Sequence, residues 1–529
     1  MSVKYRLHVV AGIPGTRVRE SLKRIEQHVG ERPGAPVKWV SVEEHLDKVA
    51  EPFVRQQGAQ IWGTPLAKLL LPRPLLRQLW QEAFASVWRR VEQLLGSSHV
   101  IVTLHLCYFL HRTREYFSPV DLKGVGKTLG QKAHAVVTLI DDIFDCHRHL
   151  YGGVCDVPES HDQSIIDLLR ILDWRSKENL LADLLARSWG RPHFVFAVKH
   201  PIDTFLDLLY TDKTRVYLSH PISELRRKAR SPELVGGVRA EIQRIRDVIA
   251  RLGTRHVVFE PTSIDELRFR RTRDAHGHED AALANLDPRW PFEPEARKVL
   301  YVSPSNPPNE FSFPIGWEQD EREEIAESPL LSELREGISR QINARDHALV
   351  EQTDMVACYR PIYEGHVSSG VQEELRHVKQ LVQFEVRERE PVGAVYCPNE
   401  DREAYPFRQL QETLLHWYRK RIITGPPRQT DLLLQGVLQR QPELRLQEVL
   451  SGDPQALIVM LTRYNLAIAR AEGDESVLSP TPQAGRHVRA TELAAAIGRF
   501  NRNYLDEFAE EKAVQMTASE PRFLEMLGC

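Results

Sequence analysis

The stretch that most constrains the fold of this chain runs from residue 345 to residue 375. Its apolar run, Met355–Tyr359, is short and bounded by turn-forming residues, which is typical of a buried strand. A loop rich in Gly, His and Ser follows, and a helix is predicted to begin near Gly370. In a parallel α/β sheet, ligands bind where strands end and helices begin. The stretch therefore predicts a ligand site, and its polar candidates are Asp346, Ser368 and Glu374.

Two of these residues, Glu374 and Asp346, form a candidate catalytic pair. Breaking an N-glycosidic bond gives the sugar oxocarbenium character, which an adjacent carboxylate can capture or stabilise. The base is a poor leaving group unless it is protonated, so a second carboxylic acid assists its departure. A structural interpretation stays open, because acidic residues are common near helix N-termini and Glu374 lies beside Glu373.

The spacing Ser368-x-Gly370-Val371-x-x-Glu374 resembles the active-site signature of nucleoside 2-deoxyribosyltransferases and the related 2'-deoxynucleoside 5'-phosphate N-hydrolases. This resemblance covers about residues 213–400. It implies that Glu374 attacks the anomeric carbon and that Asp346 protonates the leaving base. The apolar run from Val216 resembles the first strand of that family, in which a tyrosine helps to seat the sugar. The substrate-binding candidates are Tyr217, Ser219, His220, Asp354, Arg360, Ser368 and Gly370.

The turn after that first strand departs from the family pattern. The monophosphate hydrolases carry a Gly-Ser-x-Arg turn, whereas this chain reads His220-Pro221-Ile222-Ser223. Pro221 lacks a backbone donor, so contacts to a phosphate are expected instead from Ser219, His220, Ser368 or Arg360. The phosphorylation state of the substrate is left open, as is the acceptor, water or a second base. We interpret Asp354 as structural or substrate-orienting, because it immediately precedes the strand.

Residues 5–29 predict a strand, a glycine turn and a helix. Their segment Gly12-Ile13-Pro14-Gly15-Thr16 resembles the opening of a phosphate-binding loop of the adenylate kinase type. A working loop needs G-x-x-x-x-G-K-[S/T], but the last three positions here are Arg17, Val18 and Arg19. The lysine and the magnesium-binding hydroxyl are both missing. We therefore predict a degenerate loop without phosphoryl transfer, at which Arg17 or Arg19 could still contact an anion.

Three further apolar runs, at residues 99–107, 135–140 and 194–198, complete a predicted doubly wound α/β domain. Asp141 and Asp142 follow the second run, as the carboxylates of a Walker B strand do when they hold magnesium. Helix capping is the alternative role for this acidic pair.

The predicted fold class is α/β, because predicted strands and helices alternate along the chain. A chain of 529 residues exceeds a single ordinary core, so several domains are expected. We expect a degenerate P-loop kinase-like domain at 1–212 and a deoxyribosyltransferase-like domain at 213–405. Both would be three-layer domains with parallel sheets. Residues 406–529 are predicted to form an all-α region that serves as a cap or an oligomerisation surface.

Composition excludes several classes of protein. A net charge of −3 gives no general attraction to nucleic acid or anionic membrane. Neither a signal peptide nor an apolar run of transmembrane length is recognised. The six cysteines are scattered without a CxxC pair, which favours a cytoplasmic location and no metal site. We expect no cofactor, a nucleoside or nucleotide substrate, and leave a homo-oligomer open. The alternatives are a non-catalytic nucleotide-sensing protein and a residual nucleotide kinase.

Overall fold

The computed structural model describes residues 5–30, 36–56, 67–110, 113–151, 161–222, 225, 235–261, 329–363, 366–383, 392–398, 401 and 514–529. The chain divides into two compact units, one of residues 1–218 and 227–354 and the other of residues 219–226 and 355–529. The fold is mixed α/β with parallel sheets, so the predicted fold class is confirmed at that level.

The first unit contains a five-stranded parallel sheet. Its strands are β1 (Leu7–Ala11), β2 (Val37–Ser41), β3 (His99–Thr103), β6 (Ala133–Ile140) and β7 (His193–Ala197), in the order β2-β3-β1-β6-β7. Two short strands, β4 (Tyr108–Leu110) and β5 (Glu115–Phe117), form an antiparallel hairpin. Strands β8 (Arg215–Ser219) and β9 (Val257–Phe259) pair in parallel. The central strands are continuous apolar runs because a parallel sheet is covered on both faces.

The structure describes nine α-helices in this unit. They are α1 (Val18–Gly30), α2 (Val42–Gln56), α3 (Arg73–Leu94), α4 (Leu122–Val125), α5 (Ile143–Tyr151), α6 (His161–Ser188), α7 (Ile202–Tyr210), α8 (Val235–Arg255) and α9 (Pro329–Glu351). A short 3-10 turn, Pro14–Thr16, precedes α1, and a second one covers Ala67–Leu70. The main core includes the fully buried Trp80 of α3 and Trp174 of α6.

The order of the strands places a switch point between β1 and β3. The chain leaves β1 toward β2 on one side, and it leaves β3 toward β6 on the other. In open α/β sheets, ligands bind at the carboxyl ends of the strands where the direction of the connections reverses. The first unit therefore has its expected ligand position at the ends of β1 and β3.

The second unit contains a parallel sheet with the order β14-β13-β10. Its strands are β10 (Met355–Tyr359), β13 (Val392–Tyr396) and β14 (Val514–Thr517), and a hairpin is formed by β11 (Ile362–Tyr363) and β12 (His366–Val367). The helices described here are α10 (Ser369–Gln383) and α11 (Glu520–Met526). Phe523 of α11 is fully buried against the rings of Tyr359 and Tyr396.

Strand β14 corrects one prediction. Residues 514–517 were expected to belong to an all-α region, but they pair in parallel with β13. The strand forms because its backbone groups complete the hydrogen bonds along the edge of β13, which outweighs a local helical preference. The rest of that region, residues 406–513, lies outside the described residues. Within the described part of the chain, no helix has both the length and the apolar content needed to cross a bilayer.

Candidate functional site

The candidate site of the second unit is centred on Glu374, in the second turn of α10. Its side chain is buried, and its Oε2 accepts a hydrogen bond from the hydroxyl of Ser219. Ser219 is the last residue of β8 and is itself fully buried. A buried carboxylate must be paired by hydrogen bonds to be stable, so this contact fixes the orientation of Glu374. The next residue, Glu373, is exposed and pairs with Arg376.

The thiol of Cys358, in β10, belongs to the same cluster. Burial, together with the charge of the neighbouring Glu374, raises the pKa of this thiol well above its ordinary value. The thiol therefore stays protonated and is a poor nucleophile. Of the groups in this cluster, Glu374 is the one with nucleophilic character.

The loop before α10 positions three of the predicted residues. Ser368 is buried, and its backbone nitrogen donates to the carbonyl of Pro361 at 3.0 Å. Gly370 is exposed, and none of the residues that the structure describes lies within 4 Å of a Cβ built at this position, so the described part of the chain leaves open space there. Arg360 has a left-handed backbone (φ 53°), and two nitrogens of its guanidinium donate hydrogen bonds to the carboxylate of Asp401, at 2.7 and 2.9 Å. Its guanidinium is thus engaged in an internal fork.

The other predicted residues are placed as follows. Tyr217 is fully buried in β8, and His220 is buried just after that strand. Asp346 lies inside α9, not at a helix cap, and its Oδ1 pairs with Arg345 at 2.9 Å. Asp354 forms a fork with the guanidinium of Arg215, at 2.6 and 3.0 Å, and also accepts from the Arg215 backbone nitrogen at 2.9 Å.

In the first unit, the glycine turn after β1 packs against the protein itself. A Cβ at Gly15 would come within 2.9 Å of the backbone oxygen of Cys146 in α5. A Cβ at Gly12 would come within 2.8 Å of Thr16 Oγ1 and 2.9 Å of the Leu139 carbonyl. The hydroxyl of Thr16 is buried and donates to the carbonyl of Ile13 at 2.7 Å. These glycines are required by close packing in the fold.

The carboxyl group of Glu178, in α6, is the hydrogen-bond acceptor for the backbone amides at the switch point. Its carboxyl group accepts hydrogen bonds from the backbone nitrogens of Gly12 (3.3 Å), Leu106 (2.8 Å) and Cys107 (2.6 Å). Burial raises the pKa of Glu178 to about 8, although the three amides act in the opposite direction. An internal carboxyl group therefore takes the place that an anionic ligand of this turn would need.

Asp141 is similarly paired with a residue of the chain. Lys199 lies 3.4 Å from Asp141 Oδ1 and 2.7 Å from Asp145 Oδ2. Burial raises the pKa of Asp141 to about 7, and the charge of Lys199 opposes this rise. The ammonium group supplies the positive charge that a magnesium ion would bring to these carboxylates. No group of metal ligands is found among the residues that the structure describes.

The remaining member of the predicted loop, Arg17, has a left-handed backbone (φ 50°) and contacts Glu20 at 3.4 Å. It lines a cavity of about 450 Å³, together with residues that the sequence analysis did not select: Glu43, Asp47, Lys68 and His105. Lys68 Nζ lies 2.7 Å from both Glu43 and Asp47. These residues carry no local motif, because the lysine lies more than twenty positions from its partners in the sequence.

No protein-family model matches this chain, and no curated protein is significantly similar to it.

Proposed function

We propose that this protein breaks the N-glycosidic bond of a (deoxy)nucleoside or nucleotide, by hydrolysis or by transfer to another base. The observation that carries this proposal is the buried Glu374 carboxylate, oriented by the hydroxyl of Ser219. Glu374 is the nucleophile in this proposal, and Asp346 is the general acid. The open space beside Gly370 supports the approach of a ligand to the first turns of α10.

In the proposed reaction, one oxygen of Glu374 attacks the anomeric carbon of the sugar, while the hydrogen bond from Ser219 holds the other. The bond between the sugar and the base breaks as Asp346 donates a proton to the leaving nitrogen. A covalent glycosyl-enzyme intermediate results, and water or an incoming base then attacks the same carbon. Asp346, now ionised, accepts the proton of that second nucleophile.

The finer assignment of the two units is part of the same proposal. We infer that residues 213–405 form a deoxyribosyltransferase-like domain and that residues 1–212 form a degenerate P-loop kinase-like domain. The parallel sheets and the glycine turn after β1 support this assignment. The contacts of Glu178 and Lys199 lend no support to the alternative of a residual kinase, because both ligand positions hold internal partners. Nucleotide sensing without turnover stays as the alternative that the sequence left open.

The test is the release of free base, measured by chromatography from a panel of nucleosides, deoxynucleosides and their monophosphates. Glu374→Gln keeps the size of the side chain but removes the nucleophile, so release should fall by about a thousandfold or more. Glu373→Gln is the matched control, because this neighbour is exposed and lies on another face of the helix. If the two variants released free base at comparable rates, each with an unchanged circular dichroism spectrum, the glycosidase proposal would be wrong.

A further inference from the structure

The cavity beside Arg17 lies in the first unit, between the N-terminus of α1, the helix α2 and the carboxyl ends of β2 and β3. Its volume of about 450 Å³ is that of a small-molecule site. The cavity is at the switch point of the sheet, where a ligand is expected. The left-handed backbone of Arg17 adds a strained non-glycine residue to its wall, a feature that concentrates at ligand sites.

A buried charged group forms the polar floor of this cavity. Lys68 is 5% exposed, and its ammonium lies 2.7 Å from Glu43 Oε2 and 2.7 Å from Asp47 Oδ1. The other oxygen of Glu43 accepts from the hydroxyl of Tyr108 and from the backbone nitrogen of His105. Although burial alone would raise the pKa of Glu43, the charge of Lys68 lowers it to about 2. The pair is therefore fully charged at neutral pH.

A charged pair of this kind is weak evidence for stability, because desolvation of the two charges offsets their attraction. It is better suited to holding a polar ligand. An ammonium group has three hydrogens, of which two point to the carboxylates of Glu43 and Asp47, so the third can reach an acceptor of a ligand. The side chain of Asp47 is 61% exposed and has acceptor positions for hydroxyl donors.

The charges along the wall disfavour a phosphate. Five carboxylates and three cations line the described part of the cavity. Each of the three cations has a carboxylate partner: Arg17 has Glu20 at 3.4 Å, Arg19 has Glu44 at 2.6 Å, and Lys68 has two. A phosphate would have to break an ion pair inside a wall of net negative charge. The amide donors nearby are already taken by the carboxyl group of Glu178.

From this geometry we propose that the cavity of the first unit binds a neutral, hydroxyl-bearing molecule of nucleoside or sugar size, and that it discriminates against the phosphorylated form. Hydroxyl groups of the ligand donate to Asp47 and Glu43, and an acceptor of the ligand receives the third hydrogen of Lys68. The apolar part of the ligand lies against the side chains of Val18, Ala50, Val54 and Leu104. This site is independent of the proposed glycosidase site.

The proposal is tested by isothermal titration of the full chain carrying Glu374→Gln, so that turnover at the proposed glycosidase site does not consume the probe. The probes are unphosphorylated nucleosides, free sugars, the matching nucleoside 5'-monophosphates, and spermidine as a cationic probe. A neutral probe should bind at millimolar concentration or below. Its monophosphate should bind at least about tenfold more weakly, because it would have to break one charged hydrogen bond of the cavity wall. Whether a nucleoside or a sugar binds identifies the source of the hydroxyl groups.

Variants assign the binding to this cavity. The double variant Lys68→Met/Glu43→Gln removes both charges together and should abolish binding of the neutral probe. The single variant Asp47→Asn, at an exposed side chain that the fold tolerates, should weaken it about tenfold. The control is Lys38→Met/Glu26→Gln, which removes an exposed ion pair of 2.6 Å outside the cavity wall and should leave binding unchanged.

Four results would overturn the proposal: tighter binding of the monophosphates than of the nucleosides, binding of spermidine alone, no binding of any probe, or neutral binding that persists in the Asp47→Asn and double variants. The Asp47 variant decides the question if the double variant does not fold. Failure here is distinguishable from failure of the glycosidase proposal, because the latter is read from base release by the unsubstituted chain.

Discussion

Replacing Glu178 with alanine tests the internal carboxyl group of the first unit directly. The carboxyl group of Glu178 is fully buried and is the acceptor for the backbone nitrogens of Gly12, Leu106 and Cys107. An alanine side chain cannot reach these amides. The variant therefore leaves three buried donors without their acceptor, in a part of the sheet that carries the switch point.

The expected cost follows from the geometry of the three bonds. A buried donor that loses its partner costs about 1–3 kcal/mol. The bonds from Leu106 (2.8 Å) and Cys107 (2.6 Å) are short, whereas that from Gly12 is long at 3.3 Å and counts for less. We expect Glu178→Ala to lower the free energy of unfolding by about 3–6 kcal/mol below pH 6. A loss of this size would unfold a marginally stable domain.

The cost should shrink as the pH rises. Burial raises the pKa of Glu178 from 4.5 to about 8, so the folded state holds a proton that the unfolded state has lost in this window. The contribution of Glu178 to the stability of the wild type is thus greatest below pH 4.5 and declines by about 1.4 kcal/mol per pH unit until pH 8. The alanine variant lacks this proton. The difference between the two proteins should therefore fall by about 3 kcal/mol between pH 5.5 and pH 8.

Urea unfolding at pH 5.5, 7 and 8.5 measures this difference, followed by the fluorescence of the buried Trp80 and Trp174. Hydrogen exchange should also quicken at Leu106 and Cys107 in the variant. Asp173→Ala is the control in the same helix, because its exposed pair with Lys177 contributes about 0.5 kcal/mol. A loss below about 1 kcal/mol at pH 5.5, or a difference that does not change with pH, would refute the reasoning.

Three further predictions concern other parts of the chain. Asp354→Asn should destabilise the first unit by about 1–3 kcal/mol, because it weakens the two hydrogen bonds to the guanidinium of Arg215. Base release per folded molecule should stay close to normal. If Asp354→Asn lowered base release as much as Asp346→Asn, with folding unchanged, the general acid would be Asp354. No phosphate transfer from ATP to nucleoside monophosphates is expected, and a transfer that disappears in Asp141→Asn would contradict this. Burial lowers the pKa of His8 from 6.5 to about 3, so the unfolded state takes up a proton first and stability is lost as the pH falls below 6.5. In urea titrations, His8→Phe should reduce the dependence of the free energy of unfolding on pH by up to about 1.4 kcal/mol per pH unit. An unchanged pH dependence would exclude His8 as its source.

The buried parallel strands could be read from the sequence. The predicted runs 355–359 and 392–396 are the strands β10 and β13 at the bounds that the structure gives. Such strands are apolar throughout because both of their faces are covered. Strand β2 escaped notice because it is the edge strand, with Lys38 exposed and Trp39 only half-buried, so that it presents no apolar run. Strand β14 was missed because its formation depends on pairing with β13 more than on the β-propensity of its own four residues.

The sequence selects single candidate residues for the sites but not the contacts between them. The motif selects Glu374, and Ser219 was selected separately as a substrate contact, yet the hydrogen bond between them joins residues 155 positions apart. Glu178 and Lys68 were not selected at all. Glu178 looks like any acid in a long helix, and its partner Gly12 is 166 positions away. Side-chain contacts of this kind depend on tertiary packing, for which local periodicity carries no signal.

The pairing of β14 with β13 has a consequence for the synthesis of the protein. These adjacent strands are separated by residues 397–513, so the ribosome makes about a hundred residues between them, which takes about 5–20 s. During that time the outer edge of β13 lacks its partner β14, although it belongs to a buried apolar strand. An open edge of this kind is a template for pairing with other chains. The nascent second unit therefore passes through an aggregation-prone interval that ends only when residues 514–517 emerge.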